Sequence, residues 1–187
     1  MQTRVVHRDD GLALVVMRRV LIATWQSDAT EERIGRLGDT LRDLVASAPN
    51  GVGLLVIRTA PGRSPTLEPG PRTRLEKVMQ DVSGSLVATS YALTGSGMWI
   101  APARSDIRAL QDSAGGRRSY AIFDTVQSAA EFLVPKLAQA AVMTSAVEMV
   151  TAAGLAWSPT AVTPVASSSA GGSQHVGVPG QPRRPGT

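Results

Sequence analysis

Apolar runs of strand length alternate with amphipathic stretches through the first 134 residues. LALVV (Leu12 to Val16) and VLIATW (Val20 to Trp25) are two β-rich runs separated by Met17, Arg18 and Arg19. So short a separation predicts a hairpin or two closely paired strands. VVHRD, ahead of Gly11, reads as part of an edge strand. The period then changes to that of a helix: Ile34, Leu37, Leu41, Leu44 and Val45 share one face. Asp28 or Thr30 can cap this helix, Glu31 and Glu32 suit its positive end, and Pro49-Asn50-Gly51 stops it. Arg36, Asp39, Arg42 and Asp43 alternate along its outward side, a pattern of a solvated face or a docking surface.

VGLLVIRT (Val52 to Thr59) is continuously apolar, as expected of a strand covered on both sides in a parallel sheet. APGRSPTLEPGPR breaks all regularity with four prolines and predicts an exposed loop. A second helix follows in RTRLEKVMQDVSG, with Leu75, Val78, Met79 and Val82 inward. SLVATSYALTG predicts a strand, and a third helix comes next with Ile100, Ile107 and Leu110 inward. SYAIFD predicts the last strand, and TVQSAAEFLVPKL a helix that ends or kinks near Pro135.

Strands alternating with helices imply an α/β domain over residues 1–134, with a largely parallel sheet and an initial antiparallel pair. An extra C-terminal helix is expected within 135–157, with Leu137, Ala140, Met143 or Thr144, Val147 and Val150 on one face. It can pack on its own domain or pair with a second copy through residues 137–150. From Ser158 to Thr187 the chain has two charged residues and few bulky apolar ones, the composition of a disordered tail.

Composition narrows the function. Cysteine is absent, which removes disulfides, thiolate metal sites and cysteine nucleophiles. The net charge is +4, and leaving out Arg183 and Arg184 reduces it to +2, so the basic excess is thinly spread. Arg58, Arg63, Arg72, Arg74 and Lys77 face only Glu68 and Glu76, a local excess of +3. With aromatic residues at 4%, platforms for base stacking are scarce and a nucleic-acid partner is disfavoured. The longest apolar stretch, Phe132 to Trp157, carries Lys136, Gln139 and Glu148 and makes a poor membrane span. MQTRVVHRDDG has charge where a secretory leader needs an apolar run, so a soluble cytoplasmic protein is expected.

The stretch TGSGMWIAPARSDIRAL invites a phosphate-loop reading, because Gly95 and Gly97 lie between a strand and a helix. The third glycine of a dinucleotide fingerprint is replaced by Ile100, and no Gly-Lys-Ser/Thr occurs. The glycines are expected to make a tight turn, with anion binding at Gly95, Ser96 and Gly97 as the alternative. His7 beside Asp9 and Asp10 lacks a second histidine nearby, since His175 lies in the tail, so no metal site is expected. A Ser–His–Asp triad would need His7, and no nucleophile elbow is present. Trp25 and Trp99 either border a ligand pocket or complete the core. No set of residues here reads as catalytic, so neither an enzymatic activity nor a cofactor is expected.

The strand pair LALVVMRRVLIATW, the segment SDATEERIGRLGDTLRDLV, the strand VGLLVIRT and the later strand–helix pairs together resemble a STAS domain. That is the fold of anti-sigma-factor antagonists, and the likeness is to the bacterial STAS-like group without the phosphorylation motif. It covers about Leu12 to Leu133. In that family an Asp-Ser-Ser-Gly motif often follows the third strand; here the place reads RTAPGRSP, with Pro65 directly after Ser64, and no phosphosite is carried over. The resemblance implies a small non-catalytic regulatory module of a bacterial cytoplasm that binds another protein. The alternative is a small-ligand or anion-binding α/β domain that uses the Gly95–Gly97 loop.

Overall fold

In the computed structural model, which describes residues 3–59, 66–113 and 119–157, six strands form one mixed sheet. They are β1 (Arg4–Arg8), β2 (Leu12–Met17), β3 (Val20–Trp25), β4 (Val52–Arg58), β5 (Leu86–Leu93) and β6 (Ser119–Phe123), side by side in chain order. β1, β2 and β3 pair antiparallel, and β3 through β6 pair parallel. The helices are α1 (Glu31–Ala46), α2 (Pro69–Asp81), α3 (Ile100–Ser113), α4 (Val126–Gln139) and α5 (Ala146–Leu155). This is the α/β mixed sheet that the alternating pattern predicts, with the edge strand before Gly11 extending the antiparallel part to three strands. The 158–187 tail and Ser64 lie outside the described residues.

Every residue of β2 and β3 is buried, so both faces of the hairpin are covered. Because side chains alternate along a strand, the two faces gather different partners. Leu12, Leu14, Leu21 and Leu54 meet α1 and α2 through Ile34, Leu41, Val78 and Met79. Ala13, Val15, Ile22 and Leu55 meet α4 and α5 through Leu133, Leu137 and Met149. α3 joins the α1 side, where its Ala103 and Leu110 face Leu37 and Leu54 across a cavity. The result is a sheet between two helical layers. In β5 the register against β4 slips by one residue: Val52 pairs with Leu86 but Gly53 with Ala88. The extra residue, Val87, inverts the alternation, which puts Leu86 and then Tyr91 and Leu93 on the α1 side. On the other face Gly53 has no side chain, and a Cβ there would stand 2.9 Å from Leu137 Cδ2, so α4 rests directly on the β4 backbone.

Three boundaries depart from the periodicity. α2 starts at Pro69, inside the expected proline-rich loop, because proline's fixed φ and missing N–H suit the first helical position. α4 runs through Pro135 to Gln139. Pro135 and Glu131, whose carbonyl loses its donor, are both on the exposed side, where water can serve that carbonyl. The C-terminal helix does not continue from α4: Ala141 takes a φ of 57°, and Ser145 restarts the chain with a capping box to Glu148. The break resets the helical phase. Met149 and Ala152 are therefore the buried residues of α5, while Met143 and Val147 are 74% and 68% exposed instead of sharing an inward face with Leu137. Arg18, in the β2–β3 turn, pins this segment by donating to Glu148 Oε1 at 2.7 Å and to the Met143 carbonyl.

One arginine fastens the antiparallel edge to the first helix. Arg33, with 15% of its side chain exposed, donates through Nε to both Asp9 carboxylate oxygens at 3.1 and 3.2 Å. Its Nη1 donates to Ser27 Oγ at 2.7 Å and to the Asp28 carbonyl at 2.9 Å, and Nη2 to Asp10. Asp9 also accepts the Gly11 and Leu12 N–H groups at 2.7 Å each. Burial alone would raise the Asp9 pKa, but the Gly11 and Leu12 N–H groups, Arg33 and His7 outweigh it and hold the carboxyl at about 2, below its ordinary 3.8. Gly11 is required by crowding: a Cβ would lie 1.9 Å from Ser27 Oγ.

Two tests follow from this packing. A lowered pKa contributes its full stability above the unfolded-state pKa, and the contribution fades as the pH falls through the folded-state value. The stability difference between the wild type and Asp9→Asn should therefore be complete above pH 3.8 and shrink as the pH falls toward about 2; urea titrations across that range measure it, and a gap independent of pH would contradict it. The α1–α2 contact gives the second. A Cβ on Gly38 meets the buried Val78 Cγ2 at 2.7 Å, whereas one on Gly35 meets only the Arg74 guanidinium, the free end of a long side chain. Both alanines gain helix propensity of roughly 1 kcal/mol, but only Gly38→Ala overpacks the interface, at about 1–3 kcal/mol. Thermal unfolding should rank Gly38→Ala below Gly35→Ala.

Candidate functional site

The parallel strands β3, β4 and β5 end at one edge of the sheet, and their last residues border a partly enclosed cavity of about 90 Å³. Trp25, Arg58 and Leu93 stand at the three strand ends. The helices complete the walls, with Leu37 from α1, Leu75 and Met79 from α2, and Ile107 and Leu110 from α3. These are the inward residues of each amphipathic helix, so the same pattern that builds the core lines the cavity. The carboxyl edge of parallel strands is where ligands sit in open α/β sheets.

Few polar groups reach this chamber. Ser27, Arg58 and Asp106 are on its lining. Asp106, whose side chain is 9% exposed, accepts the Leu67 N–H at 2.9 Å and Arg72 Nη1 at 2.7 Å. Arg72 reaches Glu76 as well, at 3.2 Å, so Asp106 is bound into a bridge between α2 and α3. Tyr91 lines the wall and its hydroxyl accepts from the buried Gln111 Nε2 at 2.6 Å. Arg58 leaves the end of β4 and lies over the Trp99 ring, 5.5 Å from its centroid. Burial lowers the Arg58 pKa, against the raising effect of the Asp28 and Asp106 charges; a guanidinium stays charged regardless.

Outside the chamber a polar cleft of about 330 Å³ lies between the starts of α1 and α2. Asp28, Thr30, Glu31, Thr66 and Glu68 border it, and Ala29, Arg58 and Leu67 belong to both spaces. The Arg33 bonds to Ser27 and the Asp28 carbonyl fix the β3–α1 connection that forms one wall.

The residues singled out from the sequence fall in other places. Gly95 and Gly97 take φ values of 112° and 126°, the left-handed conformations of the expected tight turn. Gly95, Ser96 and Gly97 are exposed and do not line the chamber or the cleft. Arg36, Asp39, Arg42 and Asp43 are all exposed on α1. Asp39 and Arg42 line an open groove of about 700 Å³ shared with Arg74 and Lys77 of α2. Arg42 is held by Asp39 at 2.8 Å and Asp81 at 3.3 Å; among the described residues, Arg36 and Asp43 make no ion pair. His7 Nε2 lies 3.3 Å from Asp9. Among the described residues no three metal-binding side chains cluster, and no helix is long and apolar enough to cross a membrane. His175 is outside the described residues.

Of the two tryptophans, Trp25 lines the chamber and Trp99 carries Arg58. Sequence reasoning counted Arg58 only within a basic segment, missing its place at the chamber, and missed the Tyr91–Gln111 pair. A strand that ends in arginine was the available signal for the first, but the partner ring lies on a separate connection. No protein-family model matches the chain, and no curated protein matches it either.

Proposed function

We propose that the chain is a non-catalytic regulatory module of the STAS-like type, working in a bacterial cytoplasm by docking another protein on the α1–α2 face. The observation that carries this reading is the open groove between the two helices, where side chains of both signs stand in solvent: Asp39 and Arg42 from α1, Arg74 and Lys77 from α2. Arg36 and Asp43 extend the charged surface along α1 and have no ion-pair partner among the described residues. A surface of mixed charge selects a partner by register, since a misplaced like charge costs several kcal/mol. The groove is firmly backed, because Gly35 and Gly38 let α2 approach α1 closely. Self-association through residues 137–150 is part of the same proposal and is supported by the exposure of Met143 and Val147.

Reversing two charges tests the docking surface. The full chain should retain a protein partner from the cytosol of its source, and Arg36→Glu combined with Asp43→Arg should weaken that complex by about tenfold or more. The unfolding temperature of the double variant should match the wild type, because both positions are solvent-facing. Equal retention by the two proteins, or no partner for either, overturns the reading.

A further inference from the structure

The chamber at the carboxyl ends of β3, β4 and β5 is a space that the fold holds open, because polar bridges fix the spacing of its walls. Asp106 of α3 accepts the Leu67 N–H and Arg72 in the first turn of α2, and Ser113, the last residue of α3, donates to Glu76 at 3.2 Å. Gln111 ties α3 to Tyr91 of β5, and Arg33 fixes the β3–α1 connection through Ser27 and the Asp28 carbonyl. Walls clamped in this way do not close over missing volume, and the side chains around such a void forfeit contacts that an occupant would restore. Protein interiors hold few voids larger than a water molecule; this one measures about 90 Å³.

Water is a poor occupant. A buried water needs roughly two to four polar partners, and the polar residues of the lining are engaged by the protein: Ser27 by Arg33, Asp106 by Leu67 and Arg72, Tyr91 by Gln111, and Arg58 by the Trp99 ring. The rest of the wall is mostly aliphatic. An apolar cavity of ~150 Å³ takes the six carbons of benzene, and the same scale gives this chamber about four. Its mouth, at Ala29, Arg58 and Leu67, opens into the polar cleft of about 330 Å³. A molecule that enters from there does so by an alkyl end and leaves its polar end in the cleft, where it keeps its hydration. Asp28, Glu31 and Arg58 at the cleft already have partners within the protein, so a charged head group has no vacant counter-charge to meet among them.

We propose that the chamber binds the alkyl end of a small uncharged amphiphile of the short-chain alcohol class, with about four carbons enclosed and the polar end at the mouth. This site is separate from the α1–α2 groove, so it stands or falls independently of protein docking.

Titration of the isotopically labelled full chain with the primary alcohols from ethanol to 1-hexanol, followed by amide chemical shifts, tests the site. Saturable shifts are expected at Leu54, Leu93 and Ala103. Affinity should rise about fourfold with each methylene added and level off beyond about four carbons, where further methylenes lie outside the walls. 1,4-Butanediol matches 1-butanol in chain length but carries a second hydroxyl into the apolar end, and it should bind about tenfold or more weakly. Ala103→Leu, which fills the chamber from α3, should remove the saturable shifts from 1-butanol with the dispersed spectrum intact; should that variant unfold, Ala29→Leu at the mouth carries the same expectation. Absence of saturable shifts from every alcohol overturns the proposal. So does an affinity that climbs unbroken to 1-hexanol or ignores chain length, equal binding of the diol, or 1-butanol binding untouched by a folded Ala103→Leu or by Ala29→Leu.

Discussion

Burial of the β2–β3 hairpin on both faces is the constraint from which the rest of this architecture follows. Two runs of six strand positions with no exposed side chain require a helical layer above and another below. The connections between parallel strands place α1, α2 and α3 together on one side. The opposite face is left to the chain that follows the last strand, and α4 and α5 run back under the sheet to cover it. Small residues set how closely they sit: Gly53, Ala88 and Ala92 on the sheet, Ala129 and Ala130 on α4. The Arg18–Glu148 pair then ties the hairpin turn to α5.

The same arrangement produces the edge that carries the candidate site. Parallel strands bring their carboxyl ends together, and each is followed by a connection whose polar groups are not committed to the sheet. Here the β3–α1 connection is fixed by Arg33, the β4 end projects Arg58, and the turn after β5 supplies Trp99. Rigidity at this edge thus depends on a guanidinium bound to carboxylates at the far, antiparallel side of the first helix. An apolar chamber and a charged cleft adjoin here because Arg58, at the end of β4, borders both.

Much of the fold was legible because burial on two faces leaves long apolar runs, as in LALVV, VLIATW and VGLLVIRT. The phases of α1 and α2 were legible for a related reason: Ile34, Leu37 and Leu41, and likewise Val78 and Met79, repeat with the period that buries them. Local exceptions were harder to read. Pro69 and Pro135 look like breakers until one knows the first is at a helix start and the second on a solvent face. The serine-to-glutamate capping box at Ser145 was present in the sequence, but the mostly apolar residues on both sides of it read as one continuing helix. The cavity was not legible at all. Its lining comes from six segments, and no spacing along the chain encodes that Arg58 lies against Trp99 or that Gln111 donates to Tyr91. The α1 charges were visible as a pattern, but their groove exists only once α2 lies alongside.

Sequential strand order also has a meaning for how the chain is made. Each strand pairs with the one synthesised just before it, so the sheet can grow outward from the hairpin as the polypeptide leaves the ribosome. The lower face cannot keep pace. Val15, Met17, Val20 and Ile22 stay uncovered until α5, the last helix described, reaches them, and Arg8 of the first strand waits for the Trp157 carbonyl, 149 residues later. A nascent chain stopped short of Ser145 would carry a complete sheet with a greasy underside, the kind of surface that holdase chaperones recognise.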